Sequence, residues 1–573
     1  MKKIVIILFG ALFLFSCNDF FEPVPKGNIP EKDFYKSLNN LGFALNGIYN
    51  DLQSTDYQLS ELIFGEAMSD NSWNSQDVVI NKVGQLLNFQ FDTDNPYILT
   101  RYQKNYQIIY KCNQIIRSIP HVEYRINEGN EKYIREIYGQ ALLIRALSYF
   151  NLAKTFGGVS IMPTDQDLEH LIVKRSSLDD TYAYIEKDLR ESLLLLRRNR
   201  YQLSEAGQAG IGAALGLLVK VLVYQASPGV KLENPNRAEK WQEALEICNF
   251  FVEGKDMTVN DLLKFDTRYT AESWTSLSKR LFLSSSVMPE TVITGQEVVN
   301  IHQLDQFDRI FRVEGEFGPE SLFEVNHFDY SSSGIPGDEG WQLSSCITVL
   351  GGTVNITPTS DLKDLFSNDP RGLFTLTDRN VNDYYKQEEQ RPNIGPFDTG
   401  NGLIFTKYYV FPSEGSSKVR NYRIMRYAEV LLLYAEVLNE TGDSRKAVDY
   451  LNKIRQRARK LLDPSNPNAK YNREVSINNF KDVEYAPYNI VRDAIRNEKR
   501  IEMAGEFDRW FELYRLGLLA ERMAFIAKNP PVEPSGALRE RGKYFRKGVN
   551  ELFPIPQKEV QISNGVIEQN FGY

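Results

Sequence analysis

The sequence predicts a mainly α protein, a scaffold of paired helices carrying one long, loop-rich insert. Three observations predict it. From Asn39 to about Lys255 apolar residues recur every three or four positions, and the same period returns beyond residue 421. Between them, over 257–420, the stripes give way to Gly, Pro, Ser, Asn and Asp clusters such as DYSSSGIPGDEGWQL and QRPNIGPFDTGNG. The chain therefore divides into 1–16, 17–30, 31–256, 257–420 and 421–573.

The first segment, MKKIVIILFGALFLFSC, places two lysines before twelve apolar residues, Ile4 to Phe15. That run suits an export signal and falls short of the ~20 residues needed to cross a bilayer. Leu14-Phe15-Ser16-Cys17 resembles a bacterial lipobox, in which cleavage before Cys17 is followed by acylation of its thiol and new amine. Each buried acyl methylene contributes roughly 0.8 kcal/mol, so several chains hold a protein on a membrane. The alternative is a plain secretory peptide with an accidental cysteine. Residues 17–30, broken by Pro23, Pro25, Gly27 and Pro30, read as a tether.

Within 31–256, Tyr102, Tyr106, Ile109, Asn113 and Ile116 share one predicted helical face, and Ile134, Ile137, Ala141 and Ile144 share another. Leu178 to Leu196 continues the pattern. GQAGIGAALGLLVKVLVYQ and EKWQEALEICNFFVEG then form a predicted hairpin, whose small residues, Gly210, Gly212, Ala213, Ala214 and Gly216, are expected to let the two helices approach closely. RYAEVLLLYAEVLNETGDSRKAVDYLNKIRQRAR repeats the arrangement, with Gly442 as the stop and Asp443 or Ser444 as the start. The large-small alternation resembles degenerate tetratricopeptide repeats, without a clean 34-residue period.

Net charge is −8 for the whole chain and −10 once Lys2 and Lys3 are removed, leaving 65 basic against 75 acidic residues. That balance speaks against nucleic acid as a partner, because phosphate binding needs clustered Lys and Arg. Cys112, Cys248 and Cys346 are too few and scattered for a disulfide framework, and the first two fall in helical patterns as small core residues. The four histidines, His121, His170, His302 and His327, lack zinc spacing, and no nucleophile elbow, dinucleotide fingerprint or P-loop occurs. No cofactor or metal is expected. DQDLE at 165–169 is an acidic loop that reads as solvated rather than as a calcium site.

Trp241 and Trp510 lie in helical patterns and read as core, whereas Trp73, Trp274 and Trp341 lie in segments without helical period. An indole offers sugar C–H groups a broad apolar face while its polar edge stays wet. Asp70, Asn71, Asn74, Asp338 and Gln342 lie beside these rings as hydrogen-bonding candidates for sugar hydroxyls, and Tyr330, Tyr384 and Tyr408 are further aromatic candidates. The alternative is that each ring plugs the core beneath its loop.

Several ordered segments resemble SusD/RagB-type lipoproteins, surface nutrient-binding proteins of Bacteroidetes. They are the lipobox, GEAMSDN near 65, YGQALLIRALSYFNLAKTFGGVSIM at 138–162, TPTSDLKDLFSNDPRGLF at 357–374, RYAEVLLLYAEVLNETGD at 426–443, IRNEKRIEMAGEFDRWFELYRLG at 495–517 and LFPIPQKEV at 552–560. The resemblance implies a helical scaffold with four tetratricopeptide-like helix pairs plus a loop-rich insert. It also implies an outer-membrane, surface-facing lid over a SusC-like TonB-dependent transporter, with a glycan ligand held by exposed aromatics. Trp73 and Trp341 fall in stretches that resemble parts of the family's binding surface. Peptide or glycopeptide binding, a surface glycosidase and a pure interaction scaffold remain as alternatives. For the glycosidase, Glu498 and Glu502 sit four apart on one helical face. The adjacent Arg500 and Arg509 favour a buried ion-pair network instead.

Overall fold

The computed structural model describes residues 31–74, 82–125, 127–164, 171–196, 207–258, 261, 292–293, 295–296, 302–312, 315–327, 356–378, 403–408, 420–461, 473–474, 479–529 and 542–573. The principal helices are α1 (Leu38–Gln53), α2 (Pro96–Ser118), α3 (Glu128–Phe156), α4 (Leu178–Leu195), α5 (Ile211–Ala226), α6 (Arg237–Glu253), α7 (Tyr427–Glu440), α8 (Ser444–Arg459), α9 (Tyr488–Glu502), α10 (Arg509–Arg515) and α11 (Leu519–Lys528). Short strands accompany them: β1 (Ser72–Asn74), β2 (Ser321–Val325), β3 (Ile356–Pro358), β4 (Leu376–Asp378), β5 (Leu403–Phe405) and β6 (Tyr422–Arg426). These pair antiparallel as β1 with β3, β2 with β6 and β4 with β5.

Chain neighbours pack together: α2 on α3, α3 on α4, α5 on α6 and α7 on α8, with α7 also against α5 and α6. The long α3 is buried on all sides from Ile134 to Phe156, apart from Arg135, as a central helix must be. Its N-terminus is capped by the Asn127 side chain, which accepts from the Asn130 N–H, and it ends at Gly157, φ 81°. In the α7–α8 hairpin Gly442 adopts φ 99°, open to glycine at little cost, and the Asp443 carboxylate accepts from the Lys446 N–H at 3.0 Å. Both signals stand where the sequence put them. Cys112 and Cys248 are free, buried core thiols, and Trp510 is enclosed beside Phe89. Trp241 packs on the core edge.

Two of these small residues, Gly212 and Gly216 of α5, serve different neighbours from the one expected. A Cβ on Gly216 would lie 2.4 Å from Met425 Sδ of β6 and 3.2 Å from Leu322 of β2, and one on Gly212 would meet His302 Nε2 at 2.3 Å. The hairpin with α6 forms, but the glycines admit the β2–β6 ribbon and the 302 segment. Leu322, Phe323 and Val325 thereby join the main core although they come from the loop-rich stretch. A satellite cluster of Phe307, Ile310, Phe311 and Phe374 lies beside it. Among the described residues no helix is long and apolar enough to cross a membrane.

Candidate ligand-binding site

The GEAMSDN segment begins in a π-helical turn, Leu62–Ala67, a departure from α geometry that often marks functional sites. Gly65 is required here, because a Cβ would fall 1.7 Å from the Phe507 carbonyl oxygen. The turn at 505–507 closes over it with Phe507 at φ 67°, an unusual conformation for an aromatic residue. Beneath it, the buried Glu66 carboxyl accepts from Asn71 Nδ2 at 3.2 Å. Burial pushes that carboxyl up to about 7, against the opposing effects of Asn71 and of the Gly505 and Phe507 amides.

Asp70 follows, with a side chain that is fully enclosed. Arg509 contacts both carboxylate oxygens, Arg522 Nε donates to Oδ2 at 2.7 Å, and Arg500 Nη2 lies 3.5 Å from the same oxygen. Burial alone would raise the Asp70 carboxyl, but Arg509, Arg500 and Arg522 override it and hold it well below the ordinary carboxylate range. Arg500 Nε donates to Asn71 Oδ1 at 2.9 Å, and Arg500 and Arg522 both bond Asp361 Oδ2 at 2.7 Å. Thr359 completes the frame: its N–H donates to the Asn71 carbonyl and its hydroxyl to the Asp70 carbonyl. Beyond this frame the chain enters β1, with Trp73 opposite Thr357 of β3.

Two expectations are corrected here. Asp70 and Asn71, proposed as partners for ligand hydroxyls, are each 1% exposed and already bonded by arginines. They hold the base of β1 rather than facing solution. Tyr408 is corrected for the same reason: it is 1% exposed, with its ring stacked on Phe507 at 5.4 Å. Trp73 and Asn74 are placed on β1 by backbone alone. Trp274, Tyr330, Asp338, Trp341, Gln342, Tyr384, Cys346, the acidic loop 165–169 and the acylation candidate Cys17 lie outside the described residues.

The paired carboxylates of α9 belong to a second network. Glu502 is completely buried and accepts from Arg371 Nη1 at 2.8 Å, from Arg426 Nη1 at 2.6 Å and from Arg457 Nη2. Glu498 accepts from Arg371 and Arg455, and Glu506 from Arg426 and Lys407. Burial would raise the Glu502 carboxyl, but Arg457, Arg426 and Arg371 hold it well below its usual value. A carboxylate so held is a poor general acid, so the ion-pair alternative describes this pair, though not through the expected Arg500 and Arg509, which pair with Asp70 instead. Sequence reasoning missed Arg371, Arg426, Arg457, Lys407, Thr359 and Asp361. Local spacing does not mark these roles: apart from the Arg371–Asp369 pair and the Thr359 helix cap, each meets its partner only through the fold. Among the described residues, no group of three or more His, Cys, Asp or Glu could hold a metal ion.

A family model described as SusD family matches residues 319–573, and one described as starch-binding associating with outer membrane matches residues 20–223. The chain belongs to the SusD/RagB family. Among its SusD/RagB relatives, SusD-like protein P2 of Formosa agariphila is 24% identical, with the alignment covering 100% of both chains. A solved SusD homolog from Bacteroides thetaiotaomicron superposes with TM-score 0.69 at 19% identity, covering 95% of this chain and 98% of that one. Surface glycan-binding protein A from the same species, solved in complex with laminarihexaose, superposes with TM-score 0.63 at 17% identity, covering 93% and 99%. At these identities the superpositions establish a shared SusD fold.

Proposed function

We propose that this SusD/RagB protein is a lipid-anchored glycan-binding protein of the outer-membrane surface. It captures oligosaccharide and delivers it to a SusC-like TonB-dependent transporter, without covalent chemistry. The observation that carries the reading is likeness along nearly the whole chain to glycan-binding proteins, one of them solved with laminarihexaose. The family description that names starch binding and outer-membrane association supports it, as does the export signal ending at Cys17. Trp73, with Asn74, stands at the head of a strand whose base is fixed by buried arginines, and such rigid footing favours an aromatic contact surface. Trp341, and more weakly Trp274, Tyr330 and Tyr384, supply the other rings of this reading.

The test is affinity electrophoresis of the mature chain in gels containing single polysaccharides. Retardation by at least one glycan is expected, and Trp73→Ala with Trp341→Ala is expected to abolish it. Parent-like retardation of the double variant would reject these rings as the site, and co-purification with a transporter but no glycan retardation across a broad panel would reject the glycan ligand.

A further inference from the structure

A cleft of about 570 Å³ opens between α8 and the segment 302–306. Its size lies within the roughly 300–1,000 Å³ of small-ligand sites, and none of its lining residues belongs to the Trp73 region. Tyr427 and Leu431 of α7, Tyr450 of α8 and Val252 of α6 give it apolar walls. The Tyr450 ring is fixed by its hydroxyl, which donates to Glu253 Oε1 at 3.1 Å.

The charge on this cleft is unusual for a chain of net charge −8. Lys453, Arg457 and Lys460 line it against a single carboxylate, Asp305. Arg457 is already neutralised by Glu320 and Glu502. Lys453 instead holds its ammonium 3.9 Å from the centre of the Tyr450 ring, and among the described residues neither Lys453 nor Lys460 is ion-paired. Both are exposed. Positions 450, 453, 457 and 460 recur every three or four residues, so one face of α8 and its C-terminal end meets the cleft. The two lysines are seven residues apart, about 10 Å along the helix axis. A ligand reaching both is elongated and acidic at more than one unit. The amides of Gln303 and Gln456 on the same walls suit hydroxyl groups.

We propose that this cleft is a second ligand site, which takes a short acidic saccharide through Lys453 and Lys460, with its hydroxyls toward Gln303 and Gln456. The choice of a saccharide rests on the glycan-binding reading; the cleft and its cations do not. Carboxylate and sulfate share the required chemistry.

Calorimetric titration of the full mature chain in detergent tests it, with trigalacturonate, a sulfated galactose oligomer, laminarihexaose and sodium sulfate as probes. At least one acidic oligomer is expected to bind. Lys453→Ala with Lys460→Ala is expected to weaken that binding roughly tenfold, whereas Trp73→Ala with Trp341→Ala is expected to leave it unchanged. The response to each of the two oligomers identifies the acidic group. Equal binding by the parent and the double-lysine variant, or no binding of either acidic oligomer, overturns the proposal. Sodium sulfate binding as tightly as the oligomers overturns the saccharide class. Lysine-dependent binding of an acidic oligomer, with no neutral glycan bound anywhere, supports the cleft while rejecting the tryptophan surface, so the two readings fail separately.

Discussion

Arg509 grips the buried Asp70 carboxylate at both oxygens, Nε to Oδ1 at 2.7 Å and Nη2 to Oδ2 at 3.0 Å. The two residues are 439 positions apart, so this contact ties the C-terminal helices to the strand that carries Trp73. Arg500 and Arg522 depend on the same anion.

Asp70→Asn keeps the shape but leaves three guanidinium groups facing a neutral amide. The expected loss is about 3–5 kcal/mol of unfolding free energy, the cost of breaking a buried ion pair from one side. Urea denaturation of variant and parent measures it, and a change below about 1 kcal/mol would show that Asp361 and solvent suffice.

Glu502→Gln acts on the second network, where Arg371, Arg426 and Arg457 each lose one partner but keep Asp369 and Glu498, Glu320 and Glu506, and Glu320 respectively. A smaller loss than for Asp70, about 1.5–3 kcal/mol, is expected. Where the variant remains folded, its polysaccharide retardation should match the parent. A selective loss of ligand binding in a stably folded variant would give Glu502 a direct role.

Stability should fall on both sides of a weakly acidic optimum. Asp70, Glu502, Glu506 and Glu512 have depressed carboxyls in the folded protein, with arginines and lysines overriding burial. Their contribution is present above the unfolded value near ~4 and lost as pH falls through the lower folded values. Burial, the largest influence on each, instead raises Glu66, Glu191 and Glu316 to about 7. Their contribution is full below about pH 4.5 and lost as pH rises to 7. Urea midpoints across pH 3–8 should therefore peak near ~5, and Glu66→Gln should flatten the alkaline side by up to about 3 kcal/mol.

Two glycines separate space from backbone conformation. Gly65→Ala forces a methyl into the Phe507 carbonyl and should cost about 3 kcal/mol or more, because backbone must move. Gly442→Ala meets nothing within 4 Å, so only its φ of 99° opposes it, at about 1–2 kcal/mol. Denaturation midpoints of the two variants should rank in that order, and the reverse order would contradict the packing at Phe507.

The sequence alone determined the helices, their pairing in the chain and the turn at Gly442–Asp443, because periodicity, caps and stops act over a few residues. It also favoured an ion-paired over an acid/base role for Glu498 and Glu502, but the arginines that hold them, Arg371, Arg426, Arg455 and Arg457, come from other segments, while the nearby Arg500 and Arg509 turn to Asp70. Only the tertiary structure decided what Asp70 and Asn71 do: their neighbours in sequence are polar and turn-forming, whereas their arginine partners arrive from more than 400 positions away. It likewise decided that Gly212 receives a loop and Gly216 the ribbon and α7, rather than the hairpin partner α6. A residue's local pattern records which face it turns inward, while the identity of what fills that face depends on how distant segments pack at close range.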